Sequence, residues 1–296
     1  RDLYEIAKRE QWNAATDIPW DLETDPAEIG SLSGPGPDPI SELEVIKALP
    51  DDKKLELTKR RAAWLLSQLL HGEQGAMLCA AQLVEAVPDM DGKFYASTQV
   101  IDEARHVEVF ARYIKRLDRV YPMMPGLKSL LNAVLTADLW QMKCVGMQVI
   151  AESLALGSFK MIKEGTGDEV LRRITELTAQ DEARHVSYGL IYMKEELSRM
   201  PEDERDRIED FAIAGLKMLI PSGAQGAGPM FELFKDVGID LEAAMQEMRT
   251  KFADPKARAQ RPNQFRDYLA PNLQRIGLIT ERTAPQYRAY GIEIEV

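Results

Sequence analysis

One pentapeptide occurs twice in this chain, as Asp102-Glu103-Ala104-Arg105-His106 and Asp181-Glu182-Ala183-Arg184-His185, the copies lying 79 positions apart. A third landmark keeps the register, since Glu73 shifted by 79 lands on Glu152. Each half therefore reads Glu and, thirty residues later, Glu-x-x-His. Residues three apart on an α-helix sit about 60° apart around its axis, so Glu and His of that motif share one face and can grip one ion. Pro88 falls midway between Glu73 and Glu103, and the turn signal Gly165-Thr166-Gly167 falls midway between Glu152 and Glu182. A helix on either side of each break, roughly 22 Å long at about 1.5 Å per residue, returns each pair of glutamates to one height when it folds back as an antiparallel hairpin.

Two such hairpins side by side deliver Glu73, Glu103, His106, Glu152, Glu182 and His185 to the middle of a four-helix bundle. The expected fold is all-α. Inward stripes such as Tyr95, Gln99, Glu103, His106, Phe110, Ile114 and Ile174, Thr178, Glu182, His185, Gly189, Met193 put acids on faces that should meet a core. Unpaired carboxylates are costly there, and metal ions offset the cost. A single Glu-x-x-His is common on solvated helix faces, but a doubled, in-register frame of six ligand-type residues points to a metal site. Over roughly residues 60 to 200 the chain resembles the di-iron carboxylate proteins of the ferritin-like superfamily. Its doubled Asp-Glu-x-Arg-His form is most similar to the oxygen-activating members, such as bacterial multicomponent monooxygenase hydroxylases.

Taken in order, residues 1–49 read as an N-terminal extension: Trp12, Pro19 and Trp20 in a polar leader, then Gly34-Pro35-Gly36-Pro37-Asp38-Pro39, which cannot be helical inside. A surface strap and an arm to a second copy are its two readings, and a homodimer is the expected assembly. Residues 50–200 carry the four helices, at about Asp51 to Val87, Asp89 to Arg119, Ala137 to Glu164 and Gly167 to Met200. Pro122 and Pro125 punctuate a long connection to about Thr136, a crossover that makes the second and third helices parallel. Residues 201–296 add helices packed on the bundle within a single domain. A fifth helix runs from Pro201 to Pro221, a linker spans Ser222 to Pro229, and helical stretches follow near Leu241 to Phe252 and Pro262 to Ile276. Gly72 and Gly75 flank Glu73. Such glycines weaken a helix by about 1 kcal/mol each relative to Ala, so either close helix approach or room for substrate and dioxygen requires them. His71 lies roughly 200° around the helix from Glu73 and should point away from the ligands.

With 296 residues and 45% hydrophobic content the chain can bury a substantial core. A net charge of -11 argues against nucleic acid or an anionic membrane as partner. No stretch reaches the eighteen or so apolar residues of a spanning helix, and the opening Arg1-Asp2-Leu3-Tyr4 has no apolar core like that of a signal peptide, so a cytoplasmic location is expected. Cys79 and Cys144 sit in apolar helical context and read as reduced core thiols.

Glutamate and histidine without cysteine make a hard-to-borderline site that suits two iron ions, with manganese an alternative at one position. By analogy with the superfamily, Glu73, Glu103 and His106 serve mainly one metal, Glu152, Glu182 and His185 the other, and Glu103 and Glu182 bridge. Asp102 and Asp181 lie one turn before each histidine, about 40° around the helix, and offer a carboxylate to the imidazole N–H, with Arg105 and Arg184 to neutralise them. Gln99, Gln148 and Thr178, one turn before Glu103, Glu152 and Glu182, are candidates for a substrate pocket together with Gly75 and Ala155.

The resemblance implies reductive activation of dioxygen and oxidation of a small organic substrate by hydroxylation, N-oxygenation or desaturation, with electrons from a ferredoxin or reductase. The alternative is a ferritin-like iron-binding or ferroxidase protein without organic substrate. Short bundles suffice for that task, and the roughly hundred residues beyond the fourth helix favour the oxygenase. Two departures narrow the choice among relatives. Arylamine N-oxygenases carry an extra histidine ligand where Thr178 stands, and the small subunit of ribonucleotide reductase carries its radical tyrosine where Phe110 stands.

Overall fold

The computed structural model describes residues 1–36, 38–220, 228–251, 263–290 and 292, and every regular element among them is helical. The leader forms α1 (Asp2–Arg9) and α2 (Glu44–Lys47) ahead of the first long hairpin, α3 (Asp51–Ala86) and α4 (Met90–Leu117). Pro88 breaks that hairpin, and Asp89 caps α4 by accepting from the Gly92 N–H at 2.8 Å. Lys93 donates to the carbonyls of Val84 and Glu85 at the end of α3, at 2.9 and 2.7 Å. These groups fix the turn, and the turn fixes the height of Glu73 against Glu103.

The connection that follows, expected as a long crossover without an assigned element, contains the helix α5 (Pro125–Thr136). The reason is local: Pro125 occupies the first helical turn, where its missing N–H costs nothing, so it starts a helix rather than breaking one. The third bundle helix is also less regular than its sequence suggests. It comprises α6 (Trp140–Cys144), a π-helical stretch at Val145–Ala151 and α7 (Glu152–Gly165) in one continuous run. A π-turn accommodates an extra residue within a helix. Here that turn carries Gln148 and ends immediately before Glu152. Within the run from Trp140 to Gly165 an 18-residue window of mean hydropathy 1.2 is, by length and composition, apolar enough to cross a membrane, correcting the expectation that no stretch qualifies. Its burial inside the bundle, 67% of that window, accounts for the apolarity.

The second hairpin closes with α8 (Glu169–Arg199), capped by Asp168, whose carboxylate accepts from the Leu171 N–H at 2.7 Å. Its turn is sealed by the leader, where Ser31 N–H donates to the Gly165 carbonyl at 3.1 Å and Gly167 N–H to that of Glu28 at 2.7 Å. A Cβ on Gly165 would strike the Ser31 carbonyl, so the approach of the leader requires glycine there. Tyr95 stacks on Tyr188 while Asp89 meets Tyr192, so α4 and α8 run antiparallel. Lys163 pairs with Glu176 at 2.8 Å across α7 and α8, which are antiparallel too. Hence α4 and α7 are parallel, as the crossover implied.

Apolar side chains fill the bundle in two large clusters, with a third, smaller one of Ala7, Tyr95 and Tyr188. Leu66, Leu70, Phe110, Phe159 and Ile174 lie to one side of the glutamate level, and Cys79, Leu83, Ala96, Met147 and Met193 to the other. The leader packs on its own bundle, with α1 against α4 and α8 and with Trp12 buried. Beyond α8 come α9 (Glu202–Leu219), α10 (Gly228–Asp236) and α11 (Leu241–Lys251). After a second π-turn at Phe265–Leu269, α12 (Ala270–Arg275) and α13 (Ala284–Ala289) complete the described chain. Arg282 ties the last of these to α9 through Glu209 at 2.8 Å and Asp210 at 2.6 Å. Most of the expected linker, residues 222–227, lies outside the described residues, as do Phe252 and Pro262. Cys79 and Cys144 are buried free thiols, burial pushing the former up to about 12.

Candidate metal centre

The two clusters leave a polar level between them, and the structure brings all six ligand candidates into it. Ligand atoms of Glu73, Glu103, His106 and Glu182 lie within 4.8 Å of one another, and those of Glu103, Glu152, Glu182 and His185 do the same. Glu103 and Glu182 belong to both groups, as bridging groups would. All six side chains are buried, none more than 3% exposed. His71 is turned away, its Nε2 lying 2.8 Å from the Tyr121 carbonyl.

Both imidazoles aim Nδ1 at the carboxylates. His106 Nδ1 lies 3.1 Å from Glu73 and Glu103 and 3.2 Å from Glu182, and His185 Nδ1 lies 3.2 Å from Glu103 and 3.1 Å from Glu182. Their outer nitrogens cross between the motifs. His106 Nε2 meets Asp181 at 3.0 Å, and His185 Nε2 meets Asp102 at 3.2 Å. The expectation that each aspartate serves the histidine of its own helix is therefore corrected. With Nδ1 committed inward, Nε2 points across the bundle, where the other hairpin supplies the carboxylate. Arg105 bonds both aspartates, Asp102 at 2.6 Å and Asp181 at 3.1 Å, and Arg184 bonds Asp181.

Two leader residues complete this layer, and the sequence reading assigned neither. Gln11 donates to Asp102 at 2.9 Å and accepts from Arg105, while the Trp12 indole donates to Asp181 at 2.7 Å. Trp12 also stacks against His106 at 6.2 Å and lies under the Arg105 guanidinium at 4.9 Å. An aromatic side chain in a polar leader was the available signal; the partner 169 positions away was not.

So many acids in a dry volume cannot all keep their ordinary charge. Burial pushes the Glu73 carboxyl well above its usual range, Glu182 adding repulsion, and burial followed by Glu182 and Glu103 does the same to Glu152. Burial acts on Glu182 too, but His185 and the hydrogen bonds around it hold that carboxyl well below its usual range. Burial would neutralise both histidines, yet the surrounding carboxylates outweigh it: His106 is raised well above its ordinary value and His185 to about 10. Without ions the cluster therefore balances its charge with protons on imidazoles and glutamates. Two divalent cations can replace those protons, because four carboxylates match their charge and Nδ1 of each histidine already faces inward. Glu182 Oε1 is buried with His106 Nδ1 3.2 Å away but no well-aligned hydrogen bond, which leaves it available to such a partner. The set, oxygen-rich with two imidazoles, fits a dinuclear iron centre.

The pocket candidates do not gather at one point. Gln99 Nε2 donates to Glu103 at 2.8 Å and to Glu152 at 3.2 Å, leaving its Oε1 unbonded. Gln148 is fully buried with both amide atoms unbonded, and Thr178 is buried with a free hydroxyl. Because α4 and α7 are parallel and α8 antiparallel to them, Gln99 and Gln148 lie on one side of the glutamate level and Thr178 on the other. Ala155 is half-buried among the apolar residues on the Phe110 side. Gly75 sits beneath Leu131 of α5, where an added Cβ would come within 2.5 Å. Of its two readings, close helix approach is the one the geometry fits.

The family described as p-aminobenzoate N-oxygenase AurF matches residues 1–271. Among solved structures, a variant of an R2-like ligand-binding oxidase with aerobically reconstituted Mn/Fe cofactor is similar at a TM-score of 0.53 and 19% identity, over 94% of this chain and 93% of that one. A second aerobically reconstituted variant gives 0.54 and 19%, over 94% and 92%. A variant reconstituted anaerobically gives 0.52 and 20%, over 85% and 90%. No curated protein matches the chain. At such identities the structural likeness speaks to the fold, whereas the family match spans leader, bundle and most of the C-terminal helices, and decides between the oxygenase and iron-handling readings. With a dinuclear ligand set at the centre of that matched region, the chain belongs to the AurF family and is an O2-dependent di-iron oxidase or oxygenase of organic substrates.

Proposed function

We propose that the chain N-oxygenates a small aromatic amine, with p-aminobenzoate the first compound to test. The match to an N-oxygenase family over residues 1–271 carries this reading. The metal pair, when bound, supplies the reductive activation of dioxygen. The protein's own groups would hold and orient it: Glu103 and Glu182 belong to both ligand groups, and Asp181 and Asp102 fix the two imidazoles. Gln99 fixes the carboxylates of Glu103 and Glu152, and Gln148, with its amide buried and unbonded, is available to a polar substituent of the substrate. Thr178 stands where an additional histidine ligand would stand in the arylamine enzymes, so a bound metal pair would rely on the six protein ligands beside a smaller neighbour. A ferredoxin or reductase as electron donor, a homodimer and a cytoplasmic setting belong to the same proposal.

The test is to load the chain with iron(II) and supply dioxygen, a chemical reductant and p-aminobenzoate or aniline, then analyse products by mass spectrometry. Hydroxylamine, nitroso or nitro products support the reading. Products hydroxylated only on the ring, or activity with manganese alone, overturn it. Light scattering on the eluted protein tests the dimer, which a monomeric mass would rule out.

A further inference from the structure

At the end of the bundle where α4 begins, one turn beyond Gln99 from the glutamate level, three tyrosines form a continuous stack. Tyr95 lies two turns before Glu103 on α4, and Tyr188 lies three residues after His185 on α8. Their ring centroids are 4.6 Å apart at 29°; Tyr188 and Tyr192 follow at 5.4 Å and 28°. Trp140 meets Tyr192 at 5.4 Å. Burial falls along the series, from 2% exposed at Tyr95 and 4% at Tyr188 to half-buried Tyr192 and Trp140. The stack borders a cleft of about 270 Å³ that Tyr95, Tyr188 and Tyr192 line together with Asp89, Gly92 and α1 residues including Tyr4. A Cβ at Gly92 would come within 2.9 Å of the Tyr192 hydroxyl, so that glycine makes room for the stack.

Packing alone does not call for phenols here. Tyr95 Oη is buried without a hydrogen bond, and Tyr188 Oη has only a 3.4 Å bond to the Gly92 carbonyl, so each hydroxyl carries a desolvation cost that phenylalanine would avoid. Tyr192 differs, because its hydroxyl donates to the Asp89 carboxylate. Burial holds all three phenols above their ordinary range, so they are neutral. Tyrosine and tryptophan are the side chains most readily oxidised by one electron, and a neutral phenol gives up an electron most readily when a base accepts its proton. Only the outermost tyrosine has one.

We propose that Tyr95, Tyr188, Tyr192 and Trp140 are a one-electron relay between the metal centre and the surface, discharging the oxidised centre when no substrate is bound. The proposal rests on the oxygenase reading. One electron passes inward from Tyr192 through Tyr188 and Tyr95 and reduces the centre by one equivalent. The phenolic proton moves along its existing hydrogen bond to Asp89, leaving a neutral phenoxyl radical on Tyr192. A soluble thiol or ascorbate-type reductant then returns an electron, and Asp89 returns the proton. Tyr95 and Tyr188, lacking a base, carry charge only in passing.

The experiment uses the full chain loaded with iron(II), mixed with dioxygen without substrate, freeze-quenched and read by electron paramagnetic resonance, with oxidised residues mapped by peptide mass spectrometry. The wild type is expected to give a radical whose spectrum changes when ring-deuterated tyrosine is incorporated, and oxidation at Tyr192 and Trp140. Tyr188→Phe and Tyr192→Phe keep the ring and its packing, so matched thermal melts confirm folding. Tyr188→Phe should lose the Tyr192 radical while the initial dioxygen uptake is unchanged, and Tyr192→Phe should shift oxidation to Trp140. Equal radical yields in all three proteins, or dioxygen uptake with no tyrosyl radical in the wild type, overturn the relay and leave the oxygenase standing. No dioxygen uptake in any of them overturns both.

Discussion

Asp181 of the second motif holds His106 of the first, its carboxylate 3.0 Å from Nε2. Asp102 returns the contact to His185 at 3.2 Å, so neither imidazole is oriented until both hairpins have docked. The site thus has no functional half. The two motifs are identical in sequence, and each performs the same pair of tasks, a ligand for its own face and an anchor for the other.

The crossing predicts an unusual assignment in mutants. Asp181→Asn should weaken metal binding at the His106 position by about 10–100-fold, the usual consequence of losing such a partner, with the His185 position little changed. Asp102→Asn should do the reverse. Titration with iron(II), read by Mössbauer spectroscopy that resolves the two ions, checks this; an effect confined to the histidine of the mutated helix would contradict the crossing.

Removing a ligand should separate terminal from shared roles. His106→Ala is expected to retain one ion per chain, held by the other group of ligands, while Glu103→Ala, which removes a residue common to both groups, should lose both. Metal analysis after gel filtration gives the count, and loss of a single ion from the Glu103 variant would argue against bridging.

The metal-free protein should lose stability as pH rises. His185 is raised from its ordinary 6.5 to about 10, so its contribution is fully present below pH 6.5 and is lost as pH climbs through about 10. Glu73 and Glu152, also raised, act in the same direction from a lower starting point. Calorimetry between pH 6.5 and 10 should show a falling Tm without metal and a flatter one with it, since the ions replace the protons; metal affinity should rise over the same range.

Two helical glycines should respond oppositely to alanine. Nothing lies within 4 Å of a Cβ at Gly72, so Gly72→Ala should gain up to about 1 kcal/mol from helix propensity. At Gly189 the new Cβ would sit 2.6 Å from Gln148 Cβ and 3.3 Å from its carbonyl carbon, atoms that cannot swing aside. Gly189→Ala should therefore destabilise by about 1–3 kcal/mol. Urea denaturation measures both.

Trp12→Phe tests the leader. The variant keeps a ring against His106 and Arg105 but deletes the 2.7 Å bond to Asp181, and should cost about 1–3 kcal/mol. Trp12→Ala should cost about 3–5 kcal/mol, because it also leaves a cavity. A Trp12→Phe variant as stable as the wild type would mean that the N–H contributes nothing.

The ligands were legible in sequence because a metal site imposes spacing: three residues for one helix face, thirty for a hairpin return, and the same numbers twice. That repetition by itself determined the four helices and which six side chains meet. Local signals were incomplete where one residue has two uses, as Pro125 begins α5 inside the connection it was expected to punctuate, and the π-turn before Glu152 leaves no mark in periodicity. What only the tertiary structure decided are contacts between segments far apart in the chain: the crossed Asp–His pairs, Gln11 and Trp12 on the two aspartates, and the tyrosine stack between α4 and α8. Helix geometry fixes the direction in which a side chain leaves its own axis, but the group it meets depends on how neighbouring axes pack, and that is set by the apolar surfaces of the whole bundle.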